Sequence, residues 1–131
     1  MVNSRTKGRV GEQELKNLFK DRFPNYNFER NWMANQQYAG DLLSRLFDTH
    51  LQHIQCKREQ KLRLKDYLIQ VLRDIGIHKE KDNKDREYVI ILRQNQTPQK
   101  DNPLGEWQAV VSLETYFRYL ELLEKENNGK M

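Results

Sequence analysis

The sequence predicts an α/β domain in which helices flank a central mixed sheet of five strands. Two observations carry that expectation. Segments with a helical period alternate with short strand-like runs in the order α-β-β-β-α-β-β-α. One run, Tyr88-Val89-Ile90-Ile91-Leu92, is apolar at every position, a pattern that suits a strand covered on both faces. A chain of 131 residues is long enough for one core and short for two.

Residues 1–8 read as a basic, flexible arm. A helical period begins at Val10, with Leu15, Leu18 and Phe19 on one stripe, and Pro24 stops it. Residues 26–30 alternate like a short strand, and the Asn- and Gln-rich residues 31–40 read as a loop ending in Gly40. Residues 41–47 and 50–57 read as strands that a turn at Asp48-Thr49 would join into a hairpin. Leu64, Leu68, Val71, Leu72 and Ile75 recur at spacings of three and four, which predicts a helix capped by Gly76. The charged residues 78–86 then read as a loop. Strands are expected over 88–92 and 107–111, with a Pro- and Gly-bearing loop between them. Ser112 is placed to cap a last helix whose apolar face holds Phe117, Leu120, Leu122 and Leu123, and residues 125–131 should fray.

Composition narrows the classes. Hydrophobic residues are 37% and charged residues 32%, so the core must be thin. No run approaches the roughly 18 apolar residues of a membrane helix, and no leader-like segment opens the chain. A single cysteine, Cys56, excludes a disulfide framework within one chain and a Cys-based zinc site. The expected setting is a reducing cytoplasm, a host's if the chain is viral. The net charge of +4 is uneven. Arg5, Lys7 and Arg9 give residues 1–11 a charge of +3; Lys57, Arg58, Lys61, Arg63 and Lys65 against Glu59 give residues 55–65 a charge of 5 − 1 = +4; the rest sums to 4 − 3 − 4 = −3. A mildly acidic body with two basic clusters suits a polyanion such as nucleic acid. A solvated helix face with a loose basic tail is the plainer explanation of the same charges.

Four residues stand out for chemistry. Glu12 lies on the rim of the first helix's stripe, where it could lean over a sheet edge, although an acid near a helix start is also favoured by the dipole. Asp41 follows Gly40 at a strand opening, a common turn position and also one that holds a metal carboxylate rigidly. Gln55 and Lys57 are two apart in one strand and share a face. An oxygen donor for a cation beside an ammonium is what phosphodiester hydrolysis requires, while a polar solvent-facing strand is the commoner origin of one such pair. His53 shares that face, and a lone histidine there is more often packed than catalytic. Trp32 and Tyr38, in the loop, have the chemistry to stack on bases or to cover the core.

The ordered set Glu12, Gly40-Asp41-Leu42 and Ile54-Gln55-Cys56-Lys57-Arg58 resembles the PD-(D/E)xK nuclease core. Within that superfamily it most resembles the Holliday junction resolvases of archaeal and phage type, over residues 7–123. The resemblance implies a restriction-endonuclease-like sheet. It also implies Mg²⁺, with Mn²⁺ as a substitute, bound by Glu12, Asp41, Gln55 and the backbone carbonyl of Cys56, with Lys57 as the catalytic lysine. Arg5, Lys7, Arg9, Arg58, Lys61 and Arg63 would hold phosphates of branched DNA, and a homodimer would supply two active sites for two symmetric cuts. The sequence departs from the family at Gln55, where a Glu is usual. A neutral amide leaves one negative charge fewer for the cation unless Glu14 or Glu59 compensates. That departure keeps open a second expectation, a non-catalytic DNA-binding module on a decayed nuclease fold. A third is a nuclease of the same superfamily that acts on other branched or duplex DNA.

Overall fold

The computed structural model describes residues 4–31, 39–95 and 102–129, with side chains described from Val10 onward. It is a mixed α/β structure whose strands form two sheets, not one of five strands. Strands β3 (Gln52–Glu59), β4 (Glu87–Gln94) and β5 (Gln108–Val110) form a sheet in that spatial order. Strands β1 (Glu29–Arg30) and β2 (Leu42–Leu43) form a separate antiparallel pair. The physical reason for the division lies in residues 44–49. Ser44 takes extended backbone angles and its Oγ accepts the Leu46 N–H at 3.2 Å. This N-cap starts helix α2 (Arg45–Thr49), so the strand expected over 41–47 ends after two residues and no hairpin with β3 forms. Strand β3 instead runs parallel to β4, with Gln55 opposite Ile90 and Arg58 opposite Arg93.

Strand β4 is central, as its apolar run predicts. Val89 and Ile91 face one layer and Ile90 and Leu92 the other. On the first side helix α1 (Ser4–Arg22) lays Leu15 and Phe19 against Phe28, Leu42, Phe47, Ile54 and Cys56. Leu18, expected on that stripe, is instead 48% exposed, because the buried positions follow a four-residue step through Gly11, Leu15 and Phe19. Helix α3 (Leu64–Asp82) covers the second side through Tyr67 and Val71.

Both helix-end expectations need correction. Helix α1 begins at Ser4, so most of the expected arm over residues 1–8 is helical. Helix α3 does not stop at Gly76 but runs six residues further, to an Asn83 cap with φ 57° whose N–H reaches the Lys79 carbonyl at 2.7 Å. Of residues 78–86, expected as a loop, 83–86 are one and 78–82 are helical: Lys79, Glu80 and Lys81 are good helix formers, and Lys79 and Lys81 sit in the last turn where the dipole favours cations. Helix α4 (Leu113–Gly129) starts as expected: Ser112 Oγ accepts the Thr115 N–H at 3.1 Å. It continues through Gly129, past the point where fraying was expected. Among the described residues no helix is long and apolar enough to cross a membrane.

The two sheets meet at Gly40-Asp41. Gly40 has φ +96°, and a Cβ there would stand 2.8 Å from the Ile54 carbonyl oxygen. Both facts require glycine, the first for its left-handed backbone and the second for its lack of a side chain. Asn31 fixes the turn, with its Nδ2 donating to the Gly40 carbonyl at 2.7 Å and its N–H to the Asp41 carbonyl at 3.0 Å. Gly40→Ala should therefore lower stability by about 1–3 kcal/mol from the backbone angle alone, with the clash adding to it. Urea unfolding of the two proteins measures this; an unchanged midpoint would show that Gly40 is not held against Ile54.

Candidate active site

The site begins where β2 turns away from β3. Asp41 donates its backbone N–H to the Ile54 carbonyl at 2.8 Å. Its side chain bends back, and Oδ2 accepts the Cys56 N–H at 2.7 Å. The carboxylate thus occupies the place of the next ladder partner, and β2 departs into α2 beyond it. Backbone groups of residues two apart in a strand point to the same edge. The Cys56 carbonyl therefore faces the same edge as the Ile54 carbonyl, toward Asp41. Burial raises the Asp41 carboxyl above its ordinary value; the Cys56 N–H and the Lys57 ammonium pull it down, and the Asp74 carboxylate adds to the rise.

Gln55 and Lys57 share one face of β3, as strand alternation predicts, and that face is turned toward α3. Gln55 is 3% exposed, and its Oε1 has no hydrogen-bond partner among the described residues. An amide oxygen left dry and unpaired costs about 1–3 kcal/mol, so this one is placed at a stability cost. Lys57 Nζ donates to Gln70 Oε1 at 3.1 Å and lies 5.2 Å from the centre of the Tyr67 ring. Both partners are on α3, which steadies the ammonium near the open end of the strand.

Glu12 is half-buried on α1, in the other layer, with its Oε1 4.0 Å from Arg30 Nε. It acts on the buried Cys56 together with Asp41: burial first, then these two carboxylates, pushes the Cys56 thiol far up. A thiol so held is no nucleophile, which leaves Cys56 only its backbone for chemistry. Glu14 does not compensate for Gln55. Its Oε1 accepts from Arg93 and from Trp107 Nε1 at 2.9 Å, and its Oε2 accepts from Arg58 at 3.0 Å. The carboxylate ties α1 to β3, β4 and the start of β5. Gly11 allows this close packing, since a Cβ on it would stand 3.0 Å from Arg58 Cβ.

Of the residues expected to hold phosphates, Lys61 and Arg63 are exposed in the turn that joins β3 to α3, close along the chain to Lys57. Arg58 lies on the α1 face and is paired with Glu14. Arg5, Lys7 and Arg9 fall on the first turns of α1, with their side chains outside the described residues. Trp32, Tyr38 and most of their loop are also outside them. His53 is packed, 1% exposed, with its pKa lowered to about 4 by burial, helped by His78 and Arg86. It is a neutral core residue. Gln70, Asp74 and Arg93 are the residues that sequence reasoning does not single out. Their signal is faint: Gln70 and Asp74 stand one turn apart on the helix that follows the Gln-x-Lys strand.

A divalent cation would find Asp41, the unpaired Gln55 oxygen and the Cys56 carbonyl edge in one region. Among the described residues no three His, Cys, Asp or Glu side chains form a group that would hold a metal ion alone. A cation here must therefore use the amide or the backbone, and those donors suit Mg²⁺, which takes oxygen ligands and keeps several waters.

The raised Asp41 carboxyl has a measurable consequence in the metal-free protein. Its contribution to stability is full below the unfolded carboxylate value of about 3.9 and is lost as pH rises through the raised folded value. Asp41→Asn keeps an oxygen for the Cys56 N–H and removes the charge. Thermal unfolding in chelator should show the mutant melting above wild type at pH 7, with the gap closing toward pH 4. A mutant that melts lower at both pH values would contradict the desolvated carboxylate.

Comparison with family models, with curated proteins and with solved structures finds no match to this chain.

Proposed function

We propose that the protein is a metal-dependent DNA endonuclease of the PD-(D/E)xK type, acting on branched DNA and most specifically on four-way junctions. The observation that carries this reading is the buried, unpaired Gln55 oxygen on the same strand face as Lys57, beside an Asp41 carboxylate locked to the Cys56 N–H. Rigid donors set out before a ligand arrives are a feature of catalytic sites, where they lower the reorganisation needed in the reaction. A bound Mg²⁺ would supply positive charge to the scissile phosphate and make its bound water more acidic. Asp41 and Gln55 would hold it, with the Cys56 carbonyl as a further oxygen, while Glu12, expected as a ligand, stands on the α1 side of the sheet beside Arg30. Lys57, oriented by Gln70 and Tyr67, would hydrogen-bond the attacked phosphate or the attacking water and offset developing negative charge. Lys61 and Arg63, exposed beside that end of β3, would grip neighbouring phosphates with little base readout.

A four-way junction is resolved by two symmetric cuts, which a C2 dimer supplies. The exposed apolar side of α4, with Leu113, Tyr116, Phe117 and Leu120 each at least 44% exposed, is a surface that a second copy would cover. The second reading, a DNA-binding module without catalysis, is favoured by one observation: the neutral Gln55 stands where a carboxylate would bind the cation more strongly.

The test is cleavage of a labelled four-way junction with and without Mg²⁺, beside linear duplex and flap substrates. Wild type should cut the junction only with the metal. Asp41→Asn should abolish cutting and leave junction binding largely intact. Lys57→Ala should slow the single-turnover step by roughly two to four decades, the scale of losing one key electrostatic or proton-transfer group. Metal-independent binding with no cutting of any substrate would make the non-catalytic module the correct reading.

A further inference from the structure

The parallel β3-α3-β4 crossover fixes which residues of α3 stand over which residues of β3. Helix α3 runs back across the sheet, antiparallel to β3. Four helical residues advance about 6 Å and two strand residues about 6.6 Å, so the two elements keep step over several positions. Tyr67 and Val71 pack over Ile90 and Leu92 of β4. The neighbouring stripe, Gln70, Asp74 and His78, faces β3. Its first rung is fixed by contact, with Lys57 Nζ on Gln70 Oε1 at 3.1 Å. Its last rung is His78, which acts electrostatically on the buried His53. The middle rung sets Asp74 over Gln55. Asp74 is half-buried; burial raises its carboxyl, and the Arg73 and Lys57 charges pull it down. Lys57 and Asp41 both feel its charge.

Asp74 is therefore a half-buried carboxylate on the helix that covers the buried, unpaired Gln55 amide oxygen. A divalent cation between them would satisfy both, and Asp41 stands on the adjoining edge of the same strand. We propose that Asp74 of α3 supplies the carboxylate that the strand lacks at Gln55, completing a divalent-cation site with Asp41 and the Gln55 oxygen. The assignment rests on the nuclease reading and refines it: the negative charge that the strand lacks has moved to the helix that covers it. Two carboxylates and one amide then face the cation, a donor set suited to Mg²⁺ or Mn²⁺.

The experiment is a Mn²⁺ titration followed by electron paramagnetic resonance of the free ion, with thermal unfolding in chelator beside it. Asp74→Asn should weaken Mn²⁺ binding by roughly tenfold or more, the scale on which groups around a metal change its affinity. Without metal it should melt at or above wild type, since a half-buried charge that repels the Asp41 carboxylate is gone. Adding Gln55→Glu to Asp74→Asn returns a carboxylate to the strand and should recover most of the lost affinity. Wild-type affinity in Asp74→Asn would overturn the assignment of Asp74 alone. So would a metal-free midpoint well below wild type, or a loss that Gln55→Glu leaves unrepaired, because either makes Asp74 a packing residue. No Mn²⁺ binding by wild type would overturn the nuclease reading with it.

Discussion

The hydrogen bond from the Cys56 N–H to the Asp41 carboxylate is the interaction on which the site's arrangement depends. It lets a side chain finish a ladder that the backbone abandons. With Asp41 N–H on the Ile54 carbonyl and its Oδ2 on the Cys56 N–H, β2 can approach β3 for one residue and then leave into α2. Gly40 makes the approach possible by having no Cβ and by tolerating a left-handed φ. The result is an edge of β3 along which the Cys56 carbonyl points toward Asp41, next to a carboxylate held by the Cys56 N–H. Asp41, Gln55, Cys56 and Lys57 all lie at that opening, and α3 brings Gln70 and Asp74 to it.

The two faces of β3 then divide the labour. The face toward α1 is structural: Ile54 and Cys56 join the core, and Arg58 with Arg93 is tied down by Glu14. The face toward α3 is polar and runs from dry to open: His53 and Gln55 are buried, while Lys57 is half-buried and meets the exposed Gln70. A domain with 37% hydrophobic residues cannot spare interior positions freely. A polar stripe of this length beneath a covering helix costs stability that apolar residues would return, and stability given up in one place is the usual mark of a site kept for another purpose.

Much of this was legible in the sequence because its signals are local. The all-apolar Tyr88–Leu92 run identified the central strand, Ser112 the start of α4, and the i, i+2 spacing the shared face of Gln55 and Lys57. What was not legible depended on competition between signals. Ser44 as a helix cap outweighed the strand-like pattern of Leu42, Leu43, Leu46 and Phe47, and with it went the hairpin and the single five-stranded sheet. Gly76 looked like a stop, but helix-forming Lys and Glu residues beyond it carried α3 on to Asn83. The partners of the site residues were beyond reach for a different reason. Glu14 meeting Arg58, Arg93 and Trp107, or Gln70 meeting Lys57, follows from how layers stack, and no spacing along the chain encodes it.

The central claim is that the opening between β2 and β3 is a divalent-cation centre. Anomalous diffraction from crystals soaked in Mn²⁺ tests it most directly. The account predicts one strong peak bonded to the free oxygen of Asp41 and to Gln55 Oε1, on the side of β3 that faces α3. A protein that takes up Mn²⁺ only at surface carboxylates, with Gln55 still unliganded, would contradict it.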